Sequence, residues 1–252
     1  MVIKKRTTIP TVELMVLSHN NKDISVRCLD LLYFHTISPF GLVWMDNGSR
    51  DGTADYLRKF AEDKDNMTLI CSKANEGVIG GRNRSYEVWM TLDNLPDWFI
   101  ILDNDQFVQK GWIEQYTAFM REGYDLAGTD ARSFSDFCIP TTSVRDFSSP
   151  FSYVSCCGMA IKKHVTDEIG LFDQQFNPAY FEDPDFCYRA HDKGFRIGWN
   201  PRAKISHTAH QTLGQNPRKT EIFKNSLIRF RKKWGNRPPL KIVQKHVAAF
   251  EM

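Results

Sequence analysis

Apolar and polar positions follow two periods along the chain. Short apolar runs at Val12–Ser18, Phe40–Met45, Met67–Cys71 and Trp98–Leu102 have the length of buried strands. Between them lie stretches with helical spacing: Lys22–Phe34, with Val26, Leu29 and Tyr33 on one face; a helix running to about Lys64; Gly77–Leu92; and Gly111–Arg121. Strand and helix alternate at crossover spacing, which predicts an α/β fold built on a mainly parallel sheet with helices on both faces. Beyond Tyr124 the pattern changes. Ser133–Phe151 is rich in Ser, Thr, Pro and Asp without a period and reads as a long loop, a lid or an acceptor wall. Tyr153–Lys162 reads as strand, Pro184–Lys193 as helix, Arg196–Trp199 and Ala203–His207 as short strands, and Pro217–Trp234 as a basic amphipathic helix.

Composition narrows the class. With 42% hydrophobic and 25% charged residues over 252 positions, the chain is neither disordered nor fibrous, and it is long enough for one large domain with an appendage. No apolar run approaches the ~20 residues of a membrane helix. The net charge of +3 is unevenly spread. Residues 215–252 hold ten Lys or Arg against two Glu, a balance of +8, which leaves residues 1–214 at −5. A division into a domain at 1–214 and a basic helical extension at 215–252 follows. The N-terminus has basic residues without an apolar stretch behind them, and the six cysteines show no C-x-x-C spacing; both predict a cytoplasmic protein with reduced thiols.

Candidate chemistry sits at the ends of the predicted strands, the edge at which open α/β sheets bind ligands. Asp103-Asn104-Asp105 follows a buried strand, and two carboxylates one residue apart can share a hard divalent cation whose shell a diphosphate completes. A polar turn is the plainer account of the same residues. Asp46-Asn47-Gly48-Ser49 is either a tight turn with a helix cap or a place where Asp46 or Asn47 meets a nucleobase edge. Asn75-Glu76-Gly77 leads into Gly80-Gly81-Arg82-Asn83, where glycines allow close approach and Arg82 suits a phosphate or base. Phe181-Glu182-Asp183-Pro184-Asp185 opens a helix, with Pro184 at the first helical position and Asp183 as N-cap, an ionised carboxylate aimed into the cleft. His207 ends a short apolar strand and could complete a metal site begun by Asp105.

Together these segments resemble the family 2 glycosyltransferases, the inverting group with the GT-A fold. The matching pieces run in order over about residues 11–208: Ser18-His19-Asn20, Met45 to Thr53, Asn75 to Asn83, Leu102 to Asp105, Gly170 to Asp173, Phe181 to Arg189, Gly194 to Ile197 and Pro201 to His207. The resemblance implies a single mainly parallel sheet with a small antiparallel part and a helical C-terminal tail. It implies an Mn²⁺ or Mg²⁺ cofactor and a UDP- or dTDP-linked sugar donor. Ser18, Asn20, Asp46, Asn47, Asn75, Arg82, Asp103 and Asn104 become the donor-contacting positions; Asp103, Asp105 and His207 the metal ligands; and Asp183 the catalytic base. Pro184 departs from the family pattern, where Val or a polar residue is commoner, and Asn47 stands where relatives often carry Asp.

The implied reaction is single displacement. A divalent ion neutralises the leaving diphosphate while one carboxylate takes the proton of an attacking hydroxyl on a glycan, a lipid-linked sugar or another acceptor. Two other classes compete. A sugar-phosphate nucleotidyltransferase should carry a glycine-rich phosphate loop after its first strand, where this chain has Ser18-His19-Asn20-Asn21. A non-catalytic nucleotide-sugar or carbohydrate-binding relative has no need of Asp103, Asp105, Asp183 and His207 together. Nucleic acid is not an expected partner, because the tail interleaves few aromatic residues with its charges. Lys224, Arg229, Arg231, Lys232 and Lys233 beside Phe223, Leu227, Ile228 and Phe230 make the tail helix either a peripheral contact for an anionic membrane or a solvated helix packed by its apolar stripe.

Overall fold

The protein's structure is a computed structural model that describes residues 8–135, 137–208, 216–235 and 237–244. Its first half is a parallel sheet. Strand β1 (Val12–Ser18) is buried along its whole length, pairing on one side with β2 (Phe40–Asp46) and on the other with β4 (Trp98–Asp103), while β3 (Met67–Cys71) adds beyond β2. Side chains alternate across the pleat. Met15 and Leu17 therefore face one core, and Val12, Leu14 and Val16 the other. The crossover helices cover both faces: α3 (Gly77–Trp89) packs Ile79 and Trp89 into the first core, while α1 (Lys22–His35) and α2 (Thr53–Glu62) pack Leu29, Leu32 and Leu57 into the second. The register matters for chemistry. Ser18 lies opposite Asp46 and Leu17 opposite Asp103, so three strands deliver their polar ends to one edge.

The second half adds antiparallel pairing. After β5 (Gln106–Val108) and α4 (Trp112–Arg121), strands β6 (Leu126–Gly128), β7 (Ala131–Phe134), β8 (Pro140–Ser143), β9 (Tyr153–Val154) and β10 (Met159–Lys162) follow. Next come α5 (Lys163–Ile169), a 3₁₀ turn at Gln174–Phe176, α6 (Glu182–Asp192), β11 (Ile197–Trp199), β12 (Ile205–His207) and α7 (Lys219–Trp234). The main sheet has the order β11-β6-β10-β4-β1-β2-β3, with β10 antiparallel to both neighbours. A three-stranded sheet β8-β7-β9 and a β12-β5 pair complete it.

Several expectations need correction. Ser133–Phe151 is not wholly loop, because it supplies most of an antiparallel hairpin with a register irregularity between Arg132 and Phe134. Tyr153–Lys162 is not one strand: it breaks at Ser155–Gly158, where Gly158 takes φ +78°, and its two ends pair in different sheets. The helix expected from Pro184 begins two residues earlier. Phe181 is its N-cap, in a left-handed conformation, so Asp183 is not the cap but lies within the first turn. Pro184 is tolerated there because first-turn N–H groups have no intrahelical acceptor. Strands β5 and β6 and helix α5 have too short a period to be read from sequence.

Two features tie the halves together. Gly77, at φ +83°, lies where a Cβ would stand 2.2 Å from Asn177 Oδ1 and 2.9 Å from Pro178 Cα. That closeness lets Asn177 donate from Nδ2 to Glu76 O (3.0 Å) and accept at Oδ1 from Gly80 N (3.2 Å). The basic helix α7 is integral to the body. Phe230 is fully buried against Phe134, Phe181 and Tyr188, and Leu227 lies in the same core. Part of its polar face is engaged as well: Lys233 Nζ lies 2.7 Å from both Asp173 and Asp185, and the Trp234 indole N–H donates to Asp185 (2.8 Å); just past the helix, Arg237 pairs with Asp192 (2.8 Å). Beyond the helix, Gln244 exchanges hydrogen bonds with the backbone of Trp199. Leu227 and Phe230 of the tail's apolar stripe are thus spent on the core, while Ile228 is exposed. Among the described residues, no helix is long and apolar enough to cross a membrane. Phe230→Ala should lower unfolding free energy by about 3–5 kcal/mol, the cost of emptying a buried aromatic site. Urea melts of both forms measure it, and a loss within ~0.5 kcal/mol would mean α7 contributes little to the fold.

Candidate active site

The polar strand ends, the β9–β10 connection and the first turn of α6 enclose a cleft of about 1220 Å³. Ser18, Asn20, Asn47, Asn75, Arg82, Asp103, Asn104, Asp105, Asp183 and His207 all line it. Asp46 does not: it is buried, and its Oδ2 accepts the Ser49 N–H (3.1 Å), which shapes the turn after β2.

Several lining residues are already engaged. Asn47 donates from Nδ2 to Gly77 O (2.9 Å) and Asn75 Oδ1 (3.2 Å), and accepts at Oδ1 from Glu76 N (2.8 Å). Its amide brackets the β2 turn to the start of α3. Ser18 Oγ accepts from the Trp44 indole (2.9 Å), and Asn20 holds the β2 turn through Ser49 and Arg50. Asn104 Nδ2 donates to Ser25 on α1 (2.8 Å), turning its side chain into the fold.

Arg82 is the centre of the site. Carried by α3, it is 4% exposed. It donates from Nη2 to Asp103 Oδ1 (2.7 Å) and from Nη1 to Cys156 Sγ (2.6 Å), with Glu182 Oε1 at 3.7 Å from Nη1. Burial alone would make Arg82 easier to deprotonate, but Asp103, the two thiols and Glu182 outweigh it and fix the positive charge. Asp103 feels burial pushing its carboxyl up, yet Arg82 and the Cys157 S–H donor hold it below the ordinary aspartate range. Sequence suggested Arg82 for phosphate or base; the structure makes it a strut between the β4 end and the α6 start. The signal for this partnership was absent from local sequence, since Arg82, Asp103, Cys156 and Glu182 meet only through tertiary packing.

The first two carboxylates of α6, Glu182 and Asp183, differ. Glu182 faces Arg82 and Cys156, and burial raises its pKa against the pull of Arg82. Asp183 is half-buried on the cleft wall, and its carboxyl is pushed well above the ordinary aspartate range, first by burial and then by repulsion from Glu182. Arg82 offsets part of this, and Arg132, paired with Asp130 at 2.7 Å, adds a smaller offset.

Opposite α6, His207 Nε2 stands 3.0 Å from Asp105 Oδ1. The β12–β5 pairing sets His207 beside Gln106, whose Oε1 accepts the Asp103 N–H (2.9 Å). The contact with Asp105 raises the His207 pKa against the opposing effect of burial. One ligand atom each from Asp103, Cys157 and His207 lie within 4.8 Å of one another. Carboxylate oxygen and imidazole nitrogen converging beside a second carboxylate fit a divalent cation. Sequence reasoning reached Asp103, Asp105 and His207 but passed over Cys157, because adjacent cysteines without C-x-x-C spacing carry no metal signature.

The whole can be compared with known proteins. The mannosyltransferase PcManGT from Pyrobaculum calidifontis, solved with GDP-Man and Mn²⁺, superposes with a TM-score of 0.62 at 16% identity, covering 83% of this chain and 60% of its own. GalNAc-T7, solved with UDP, GalNAc and Mn²⁺, gives 0.69 at 14% identity, covering 90% of this chain and 48% of its own. These likenesses show the GT-A glycosyltransferase fold. Glycosyltransferase AglE of Haloferax volcanii is 21% identical over 225 residues, 84% of this chain and 68% of AglE. Chondroitin synthase of Pasteurella multocida is 25% identical over 228 residues, 69% of this chain but only 22% of the synthase. The model of the glycosyl transferase family 2 matches residues 14–186, and the chain belongs to that family as a glycosyltransferase domain.

Removing the Arg82 guanidinium should be costly. Arg82→Met leaves Asp103 and Glu182 buried without their cation, and a loss of about 3–5 kcal/mol in denaturant unfolding is expected. A variant as stable as the parent would show the strut to be dispensable.

Proposed function

We propose that the chain transfers a sugar from a nucleotide-diphosphate donor to a hydroxyl acceptor with inversion, using Asp183 as general base and Mn²⁺ or Mg²⁺ at Asp103, Asp105 and His207. The observation that carries this reading is the division of one cleft into two carboxylate sets. Asp103, Asp105 and His207 stand at the strand ends, and Asp183 stands apart on the first turn of α6. Single displacement needs that division, with the leaving group neutralised on one side and the nucleophile deprotonated on the other.

A divalent ion, when bound, supplies Lewis-acid neutralisation of the leaving diphosphate. The chain's own residues do the rest. Ser18, Asn20, Asn47 and Asn75 border the end of the cleft nearest β1 and β2, where the nucleoside rests on a scaffold whose side chains are already locked. Arg82 keeps Asp103 ionised and aimed. Asp183, raised by burial and by Glu182, is a stronger proton acceptor than an exposed aspartate, which suits a base that must take a hydroxyl proton. The acceptor hydroxyl, on a glycan, a lipid-linked sugar or another molecule, enters beside Asp183, where Arg132 and Tyr153 form the wall. UDP and dTDP sugars are the proposed donors; PcManGT and GalNAc-T7 were solved with GDP-Man and UDP respectively, and both ligands carry a diphosphate.

A panel of nucleotide sugars assayed for metal-dependent transfer or hydrolysis separates this enzyme from a binding relative, which would retain the nucleotide without turning it over. Asp183→Asn should lower turnover by about 10²–10⁴-fold while nucleotide affinity, measured by calorimetry, holds; unchanged turnover removes Asp183 from the mechanism. The parent kcat/KM should fall as pH drops through a pKa above the ordinary aspartate range, because only ionised Asp183 accepts the proton. A profile flat down to pH ~4, where an unperturbed aspartate titrates, would contradict the raised pKa. Asp105→Ala should weaken Mn²⁺-dependent nucleotide binding by about 10-fold or more. Metal dependence identical to the parent's would exclude Asp105 from the ion site.

A further inference from the structure

Cys157 has no part in the chemistry above, yet it is the third member of the cluster formed by Asp103 and His207. Its position is built rather than incidental. The thiol donates to Asp103 Oδ2 at 3.1 Å. The Cys157 backbone is held from both ends: its N–H donates to Ser155 Oγ (3.3 Å), and its carbonyl accepts from Thr129 Oγ1 (3.1 Å). The next residue, Gly158, takes φ +78° and donates to Ile101 on β4 (3.0 Å), while its carbonyl accepts from the Tyr116 hydroxyl. Three separate elements therefore deliver an oxygen, a sulfur and a nitrogen to one point: the end of β4, the break between β9 and β10, and the end of β12.

Charge sharpens what such a point prefers. Asp103 is already neutralised by Arg82 at 2.7 Å, so a hard dication finds less free negative charge here than two unpaired carboxylates would offer. A thiol restores that charge on binding. Its S–H proton passes to solvent and a metal–sulfur bond forms, an exchange that borderline-soft cations favour and hard ones do not. Carboxylate, thiolate and imidazole together make a zinc-type donor set.

We propose that Cys157 is a metal-selecting ligand: with Asp103 and His207 it forms a site for a borderline-soft cation of the Zn²⁺ class, overlapping and competing with the hard ion of sugar transfer. The inference rests on reading Asp103 and His207 as ion ligands, and adds a ligand and a selectivity to them. Its consequence is that Zn²⁺ and Mn²⁺ exclude each other at one position, so the enzyme's metal state depends on which cation is supplied.

The test uses the full chain, reduced and metal-free, titrated with Co²⁺ as a spectroscopic stand-in for Zn²⁺. Thiolate-to-Co²⁺ charge-transfer absorption in the near ultraviolet is expected, abolished by added Zn²⁺. Mn²⁺ release, followed by electron paramagnetic resonance, should accompany Zn²⁺ addition. Cys157→Ser should lose the charge-transfer band and bind Zn²⁺ on the order of 10–100-fold more weakly, at least the cost of losing an outer partner, with Mn²⁺ affinity retained. Cys156→Ser is the control: Cys156 points to Arg82 and Glu182, and the band should survive. Co²⁺ that binds and displaces Mn²⁺ without a charge-transfer band overturns the role of Cys157 and leaves the hard-ion site standing. A band that persists in Cys157→Ser overturns it equally. Absence of both Co²⁺ and Mn²⁺ binding in the parent overturns the ion site itself, and the two failures are thereby told apart.

Discussion

A guanidinium kept at 4% exposure needs negative charge close by, and Arg82 finds it in Asp103 and Glu182, with the Cys156 thiol as a further acceptor. Those partners come from β4, the β9–β10 connection and α6, three of the elements that line the cleft. The ion pair is therefore a ruler as much as a stabiliser. A buried pair is weak evidence for stability, because desolvation consumes most of its Coulombic gain. What it does favour is position: with Asp103 paired to Arg82 at 2.7 Å, Glu182 at 3.7 Å ties the start of α6 to the same guanidinium.

The rest of the second half is fitted around that alignment. Asn177 grips Glu76 and Gly80 at the start of α3, the helix that carries Arg82. Asp185, one residue past Pro184 and wholly buried, is met by Arg189 within α6 and by Lys233 and Trp234 from α7. The C-terminal helix thus fixes α6 from behind while Arg82 fixes it from the front. The +8 balance of the tail finds part of its purpose there, in neutralising carboxylates that the active helix buries, although Lys224, Lys232 and Ile228 remain turned outward.

The parallel half of the fold was legible in the sequence because its signals are local. Apolar runs of strand length alternate with helical spacing, and Ser18, Asp46 and Asp103 stand at the run ends that the register later brings into line. The antiparallel half was poorly legible. Its strands are two to four residues long, too short for a period to declare itself, and β9 and β10 are separated by Ser155–Gly158, the connection that carries two thiols. At the site, the individual residues could be named but their partners could not. Asn47 looked available for a base and is saturated by its own loop; Arg82 looked free for a phosphate and is bound to Asp103. Contacts between residues separated by 21 to 100 positions, such as Arg82 with Asp103 or Glu182, leave no trace in a window of sequence.

The proposal of Asp183 over Glu182 as proton acceptor draws on the same constraint. Both sit in the first turn of α6, where the helix dipole favours negative charge; burial raises both, Asp103 adds to the rise at Glu182, and Glu182 adds to the rise at Asp183. Glu182 is turned to Arg82 and receives the Cys156 thiol, so its charge is committed to the strut, and a proton placed there would loosen the alignment of α6 with β4. Asp183 has no such duty. It lies on the cleft wall, and the repulsion it feels from Glu182 is relieved when it takes a proton. One carboxylate of the pair gives up its reactivity to hold geometry, and its negative charge raises the basicity of the other. That division of labour supports the proposed role of Asp183 as base on electrostatic grounds that the motif alone does not contain.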